Sequence, residues 1–472
     1  MTMVVNKIVV CPICRKNTFL RIQCGGYINS YPIRLNCINC RALLKGQFVM
    51  TGSERGLTMF NADVLECDIE KPTQQEANLK TINVRNADFI AEISGELPCK
   101  HVSVYKSEIP LSPFMRIADR IGSSEERIAR LEIFEHDLLE WKRTKSTAFQ
   151  LLDEGSLDYL PIALNNKMGN HSYQCDHYLK ALHCLQEIVL EETKYLFPAP
   201  GQDDRVLKLM DFLSVLDKNL LHEFCVNAGG TTELLFLYRK AISVFSSFMD
   251  IYANVLPAET YLYLKNKENT ATAISTCSFS DIKTFYQDAY ETLGSLLFLP
   301  VCLDNIVLRK DHNCFENAYK SVRCYSGTRD LSWYRMLDNG TRINRYNNKE
   351  VFQQLINLPA NRLLRNGIGH NNVKYDGVTQ IITAYDQKEP EKVTVEMSLM
   401  DMAIDCIGMA KAAVILSEMI LFLLREEFRS ENITTIIHPR FYKNREPNDK
   451  CPCGSFKKFK KCCKNDVDGL VE

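Results

Sequence analysis

A mainly α chain is predicted, with a small cysteine-paired module at its start, a short β-rich segment next and a separate cysteine-bearing module at its end. Three observations carry this expectation. Tight cysteine pairs occur only near the two termini. Period-two apolar patterning dominates the stretch between about residues 47 and 109, and apolar residues recur at helical spacing through most of the chain beyond it. At 472 residues, a prior of roughly 150 residues per domain gives about three domains. A composition that is 46% hydrophobic and 24% charged excludes a disordered, collagenous or low-complexity chain and leaves enough apolar residues for a sizeable core.

The net charge of -1 conceals segregation. Residues 1–50 hold seven Lys/Arg and no acid, and residues 438–472 hold nine Lys/Arg against five acids, so the middle carries -12. Each basic end suits an anionic partner. Of 19 cysteines, eight are paired near the termini and eleven are scattered. An odd total in a long chain argues against a disulfide framework. The opening apolar run, Ile8 to Val10, is too short for a secretory signal. Met402 to Leu424 contains Asp405, Lys411 and Glu418 and reads as a buried helix rather than a membrane span. The expectation is a cytoplasmic, reduced protein without a membrane partner.

Residues 1–46 contain Cys11-Pro-Ile-Cys14 and Cys37-Ile-Asn-Cys40, two C-x2-C pairs separated by 22 residues. A C-x2-C turn aims two thiolates at one ion, and two turns on neighbouring hairpin tips complete a tetrahedral set for Zn²⁺. Thr18 to Ile22 and Ile33 to Leu35 are the expected strands. Cys24 is a spare thiol and a weaker alternative ligand. The segment resembles a zinc ribbon. Four thiolates leave no open coordination position, so this zinc is structural rather than catalytic.

Residues 47–109 are rich in Val, Ile and Thr, and Thr81–Arg85 and Phe89–Ile93 alternate as strands do. Residues 110–275 read as a helical domain. Ser123/Ser124 before Glu125/Glu126 start a helix reaching about Thr147. Tyr178–Phe197, Val206–Phe224 and Glu233–Tyr252 are further helices. Residues 276–430 read as a second helical domain that opens with Phe279–Leu299. Gln380–Tyr385 and Lys392–Glu396 form a β-hairpin insertion, and Ser398 with Asp401 starts a helix of about thirty residues. His171, His177 and His183 with Cys175 and Cys184 lack metal-ligand spacing and a fourth ligand.

The tail, residues 439–472, carries Cys451-Pro-Cys453, eight residues, then Cys462-Cys463. It resembles the SEC-C motif, a small zinc-binding module best known from the preprotein translocase motor ATPase. The resemblance implies a second structural Zn²⁺ on Cys451, Cys453, Cys462 and Cys463. Phe456 and Phe459 stand where that family usually has Gly and Tyr, which touches the loop and not the ligands. Lys457, Lys458, Lys460 and Lys461 surround Phe459 and suit RNA phosphates or an acidic protein surface.

Leu363-Leu364-Arg365-Asn366-Gly367-Ile368-Gly369-His370 contains R-N-x-x-x-H. A chain with 9 His and 25 Arg meets R-x(4–6)-H roughly once or twice by chance. The other match, Arg130 to His136, lacks the Asn and lies in a charged amphipathic segment. The Arg365 motif resembles the signature of HEPN domains, helical bundles that include many metal-independent ribonucleases. That resemblance implies a HEPN-like bundle over 276–430 and an endoribonuclease whose catalytic residues are Arg365, Asn366 and His370. It also implies a homodimer in which both motifs line one cleft, in stress, toxin or phage-defence biology. Imidazole exchanges protons near neutrality and guanidinium forks onto phosphate oxygens, as cleavage by the 2′-hydroxyl requires. On a regular helix, Arg365 and His370 stand about 140° apart. RNA is the expected partner. The alternatives are a non-catalytic zinc-dependent adaptor that binds RNA, the ribosome or a protein, and a small-ligand sensor. No P-loop, dinucleotide glycine motif, G-x-S-x-G or H-E-x-x-H is present.

Overall fold

The computed structural model describes residues 3–24, 28, 30–51, 54–67, 87–100, 103–104, 141–165, 177–193, 205–262, 264, 272–315, 319–324, 327–346, 350–428, 446–449, 457–462 and 464. Among the described residues helix outweighs strand, 55% to 19%. The chain is thus mixed but helix-dominated, with small sheets near its N-terminus. Two compact units are each assembled from three stretches of chain. The first is Met1–Leu138, Phe248–Gln287 and Leu363–Ile407; the second is Leu139–Ser247, Asp288–Arg362 and Gly408–Glu472.

The first unit opens with strands β1 (Met3–Val10), β2 (Asn17–Cys24), β3 (Ser30–Asn36), β4 (Leu43–Thr51), β5 (Glu54–Met59), β6 (Asp63–Leu65), β7 (Phe89–Ser94) and β8 (Ser103–Val104). They form two sheets, ordered β6-β1-β2-β7-β8 and β3-β4-β5. β1 and β2 make an antiparallel hairpin, Val10 opposite Asn17, and β3 and β4 make another, Asn36 opposite Leu43. Period-two patterning decides which faces are buried: Tyr31, Ile33 and Leu35 of β3 point inward and their neighbours do not. Ile8, Phe19 and Ile90 form one small apolar cluster beneath the first sheet.

No boundary falls at residue 46. β4 runs straight across it, and β7, from the expected β-rich segment, pairs in parallel with β2, Thr18 opposite Phe89. The cysteine hairpins and the β-rich segment therefore share sheets. The expected strand Thr81–Arg85 lies outside the described residues, as does most of the expected helix from Ser123. Of its described part, residues 141–144 are helical, and Lys145–Phe149, which passes the expected end at about Thr147, is a π-helical turn that runs into a short α-helix, Gln150–Asp153.

The remaining helices are α1 (Leu160–Asn165), α2 (Tyr178–Thr193), α3 (Arg205–Ser214), α4 (Lys218–Ala228), α5 (Gly230–Leu262), α6 (Phe279–Leu296), α7 (Phe298–Arg309), α8 (Leu331–Met336), α9 (Asn339–Asn344), α10 (Val351–Ile356), α11 (Arg362–Gly369) and α12 (Leu399–Phe428). Val206–Phe224, expected as one helix, is two. Asp217 takes an extended conformation and accepts from the N–H groups of Asn219 and Leu220, capping α4. Phe279–Leu299 likewise divides at Leu297 into α6 and α7.

In the first unit the later part of α5 carries buried Tyr252, whose hydroxyl donates to Glu259 Oε2 at 2.6 Å. Thr260 Oγ1 donates to the Glu96 carbonyl at 2.7 Å, fastening α5 to the segment after β7. Strands β9 (Val373–Asp376), β10 (Ile381–Tyr385) and β11 (Val393–Ser398) come after α11. The expected hairpin is β10–β11, and β9 extends it to three strands in the order β11-β10-β9. Ser398 Oγ accepts from the Asp401 N–H at 3.0 Å and donates to its carboxylate at 2.7 Å, so the expected start of α12 is capped.

In the second unit α2, α5 and α12 are joined by a buried polar chain. Tyr238 donates to Gln186 Oε1 at 3.2 Å, and Gln186 Nε2 donates to Ser417 Oγ at 3.0 Å. Buried Asp304 on α7 accepts from the backbone N–H groups of Phe352 and Gln353 at 2.8 and 3.1 Å, holding the first turn of α10. Among the described residues, three helical stretches, Gly230–Leu262, Phe279–Arg309 and Leu399–Phe428, are long and apolar enough to cross a membrane by length and composition. Their apolar windows are 67%, 72% and 89% buried within the protein.

Candidate metal centre and candidate catalytic turn

The two cysteine turns are built alike. In the first, the Cys11 N–H donates to the Lys16 carbonyl at 2.9 Å and the Arg15 N–H to the Cys11 carbonyl at 3.0 Å. In the second, the Cys37 N–H donates to Ala42 at 2.9 Å and the Arg41 N–H to Cys37 at 2.8 Å. Arg15 (φ 59°) and Arg41 (φ 67°) both adopt the left-handed conformation that reverses the chain. Each turn joins the strands of its own hairpin, β1–β2 or β3–β4, so four sulfurs converge.

The Sγ atoms of Cys11, Cys14, Cys37 and Cys40 all lie within 4.8 Å of one another. Cys11–Cys40 and Cys14–Cys37 are each 3.5 Å apart. A tetrahedron with metal–sulfur bonds of about 2.3 Å has edges of roughly 3.8 Å, so this donor set fits a thiophilic divalent ion and can hold one. The Lys16 backbone N–H holds Cys14 down at about 6, whereas burial pushes Cys37 up to about 12. A metal must therefore displace a proton from Cys37 at neutral pH. Cys24 sits at the end of β2, with its side chain outside the described set.

The R-N-x-x-x-H motif occupies α11 and the turn after it. The His370 N–H donates to the Asn366 carbonyl at 3.0 Å, so the last helical hydrogen bond reaches the histidine. Asn371 (φ 56°) then reverses the chain into β9. His370 is exposed, whereas Arg365 and Asn366 are half-buried. Arg365 Nη1 donates to Asn366 Oδ1 at 3.2 Å. Gly367 is required by packing: a Cβ there would come within 2.8 Å of Ala384 Cβ and 3.0 Å of Val373 Cγ2. At Gly369 a Cβ would stand 3.7 Å from Gln287 Nε2 and 3.9 Å from Arg365 Nη1. Two donors thus flank the bare face of this glycine. Gln287 on α6 is not legible as a site residue in the sequence, since nothing local marks a residue more than seventy positions away.

The metal turns and the motif belong to the same unit. Arg41 Nη1 donates to Asp376 Oδ1 on β9 at 2.5 Å. Asn36 packs so tightly on Gly377 that a Cβ there would approach within 2.2 Å. No family model, curated protein or solved structure matches this chain.

In the tail, Cys462 is half-buried, while Cys451, Cys453 and Cys463 lie outside the described residues. Lys457, Lys458, Lys460 and Lys461 are exposed around buried Phe459. The Phe459 N–H donates to the Asp449 carbonyl and the Lys460 N–H to that of Pro447, at 2.8 and 3.0 Å. His177 caps α2, its Nδ1 accepting from the Leu179 N–H at 3.2 Å, while His183 and Cys184 are buried within that helix. His171 and Cys175 lie outside the described residues.

Proposed function

We propose that this chain is an RNA endonuclease of the HEPN kind, acting as a homodimer through Arg365, Asn366 and His370. The observation that carries the reading is the exposure of His370 at the end of α11, one turn beyond Asn366 and beside the face that Arg365 flanks. An imidazole in water can take the proton of an RNA 2′-hydroxyl. The guanidinium, charged at any working pH, stabilises the pentavalent phosphorane as negative charge grows. Asn366 orients that guanidinium. The 2′-oxygen forms its bond to phosphorus as the bond to the 5′-oxygen breaks. The products are a 2′,3′-cyclic phosphate and a 5′-hydroxyl, and an imidazolium of the paired motif returns the proton to the leaving oxygen. No step uses a divalent ion.

Zn²⁺ on Cys11, Cys14, Cys37 and Cys40 would supply folding energy and no open coordination site. A second Zn²⁺ on Cys451, Cys453, Cys462 and Cys463 belongs to the SEC-C reading of the tail, whose exposed lysines suit RNA phosphates. The cytoplasm is the compartment that keeps these thiols reduced.

The decisive experiment incubates the zinc-loaded protein with total RNA in buffer without added divalent ions, beside Arg365→Ala and His370→Ala. Cleavage that both substitutions abolish supports the enzyme. Equal inactivity of all three folded, dimeric proteins overturns it and favours an adaptor gripping a partner through its metal turns. Ile13 supports that second reading: it stands 72% exposed at the tip of the first turn, where an apolar side chain suits a protein contact.

A further inference from the structure

Within the second unit, α2 and α12 run antiparallel. Gln186 meets Ser417 along their length, and at one end the rings of His177 and Tyr178 pack on Phe428 with centroids 5.8 and 5.7 Å away. Arg425 and His183 lie on the stretch between these contacts and are only 7% and 6% exposed. Nε, Nη1 and Nη2 of Arg425 and Nε2 of His183 are all buried without a hydrogen-bond partner. The guanidinium has the face of Phe422, 5.2 Å from its carbon, as a neighbour. Burial and then the nearby Arg425 charge push the His183 imidazole well below its ordinary range, keeping it neutral.

Buried polar groups in native proteins are nearly always partnered. A desolvated cation without a counter-charge is among the most costly arrangements a fold can hold. Of the α12 carboxylates, Glu427 accepts from His222 at 3.0 Å and the charge of Glu418 acts on the Tyr238 hydroxyl. A fork of guanidinium N–H groups matches the oxygens of a carboxylate or phosphate, and a neutral imidazole can add one more N–H.

We infer that Arg425 and His183 form a buried binding site for an oxyanion, the phosphate or carboxylate group of a small ligand, between α2 and α12. The site belongs to the second unit, whereas the R-N-x-x-x-H motif belongs to the first, and its occupancy does not depend on RNA cleavage. The aromatic trio His177, Tyr178 and Phe428 walls one end. Until the anion enters, the guanidinium destabilises the folded chain; once it enters, the same group holds α2 and α12 together.

The test is thermal unfolding of the full chain and of Arg425→Met, titrated with inorganic phosphate or with acetate against chloride at matched ionic strength. The wild-type midpoint is expected to rise saturably by several degrees with one of the two anions, and the better of them identifies the ligand group. Arg425→Met is expected to show no such rise and to unfold above the wild type in anion-free buffer, since it removes an uncompensated charge. Equal responses of both proteins to every salt overturn the site. So does a lower anion-free midpoint for Arg425→Met, which would mean that the guanidinium has a protein acceptor. Should that variant fail to fold, phosphorus and acetate-methyl NMR line widths with the wild type decide the matter. Saturable broadening supports the site and its absence overturns it.

Discussion

Arg41 Nη1 and Asp376 Oδ1 are 2.5 Å apart, joining the second cysteine turn to the strand that directly succeeds His370. The turn holds its shape through the Cys37 and Arg41 backbone bonds, so loss of the metal should reach β9 through this pair. Stripping the metal, or Cys37→Ser, is expected to speed amide hydrogen exchange over 373–376 and 381–385. The α2 amides around Gln186, in the other unit, should keep their protection. On the proposed zinc reading, bound metal per chain should fall by one in Cys37→Ser, as read by metal release.

Arg15 occupies a left-handed position (φ 59°) that glycine takes without cost and a β-branched residue resists. Its ion pair with Asp63 spans 3.6 Å between two exposed side chains and contributes little. Arg15→Gly should therefore be neutral to stabilising by about 0.5 kcal/mol, and Arg15→Val destabilising by about 1–2 kcal/mol. Denaturant midpoints of the metal-loaded proteins distinguish the two outcomes.

Gly367 separates α11 from the sheet beneath it. Gly367→Ala places a methyl within 2.8 Å of the Ala384 side chain and should cost about 1–3 kcal/mol. Because the helix must shift, the cleavage proposed above should fall although Arg365 and His370 are retained; parallel stability and cleavage measurements test this.

Asp304 gives a pH dependence with a definite sign. Burial raises its carboxyl from an ordinary 3.8 to about 6, against the backbone N–H groups that favour ionisation. The native state thus binds the proton more tightly than the unfolded chain. The resulting stabilisation is full below about pH 4 and is lost as pH rises through about 6. The wild type should lose about 2–3 kcal/mol relative to Asp304→Asn between those limits, measured by urea unfolding of both proteins across pH 4–7.

Ser398 caps α12 by accepting the Asp401 N–H at 3.0 Å. Ser398→Ala should cost about 1 kcal/mol, and Ser398→Asp should recover most of it. Equal midpoints for all three would show that the helix start is held by tertiary packing instead.

Local chemistry is readable from the chain alone. The paired cysteines, the β10–β11 hairpin and the capped start of α12 are each fixed by residues close in sequence. Breaks within apolar periodicity are harder: Asp217 ends one helical pattern by capping the next, and at Leu297 the apolar run Leu296 to Leu299 continues across the junction, with Gly294 and Pro300 three residues to either side. Long-range pairing is illegible. The parallel match of β2 with β7, the approach of Gln287 to Gly369 and the clamp of Gln380 on the Ile274 backbone depend on how distant stretches meet, and no periodicity encodes that.

The parallel seam between Thr18 and Phe89 also governs how this polypeptide can be dissected. A fragment stopping after residue 46 would sever β4 partway and strip one border of β2, leaving naked amides and carbonyls ready to stick to another molecule. The cysteine hairpins are therefore not a detachable finger. Their natural excision limit lies beyond β7, and shorter pieces should precipitate even when fully loaded with metal.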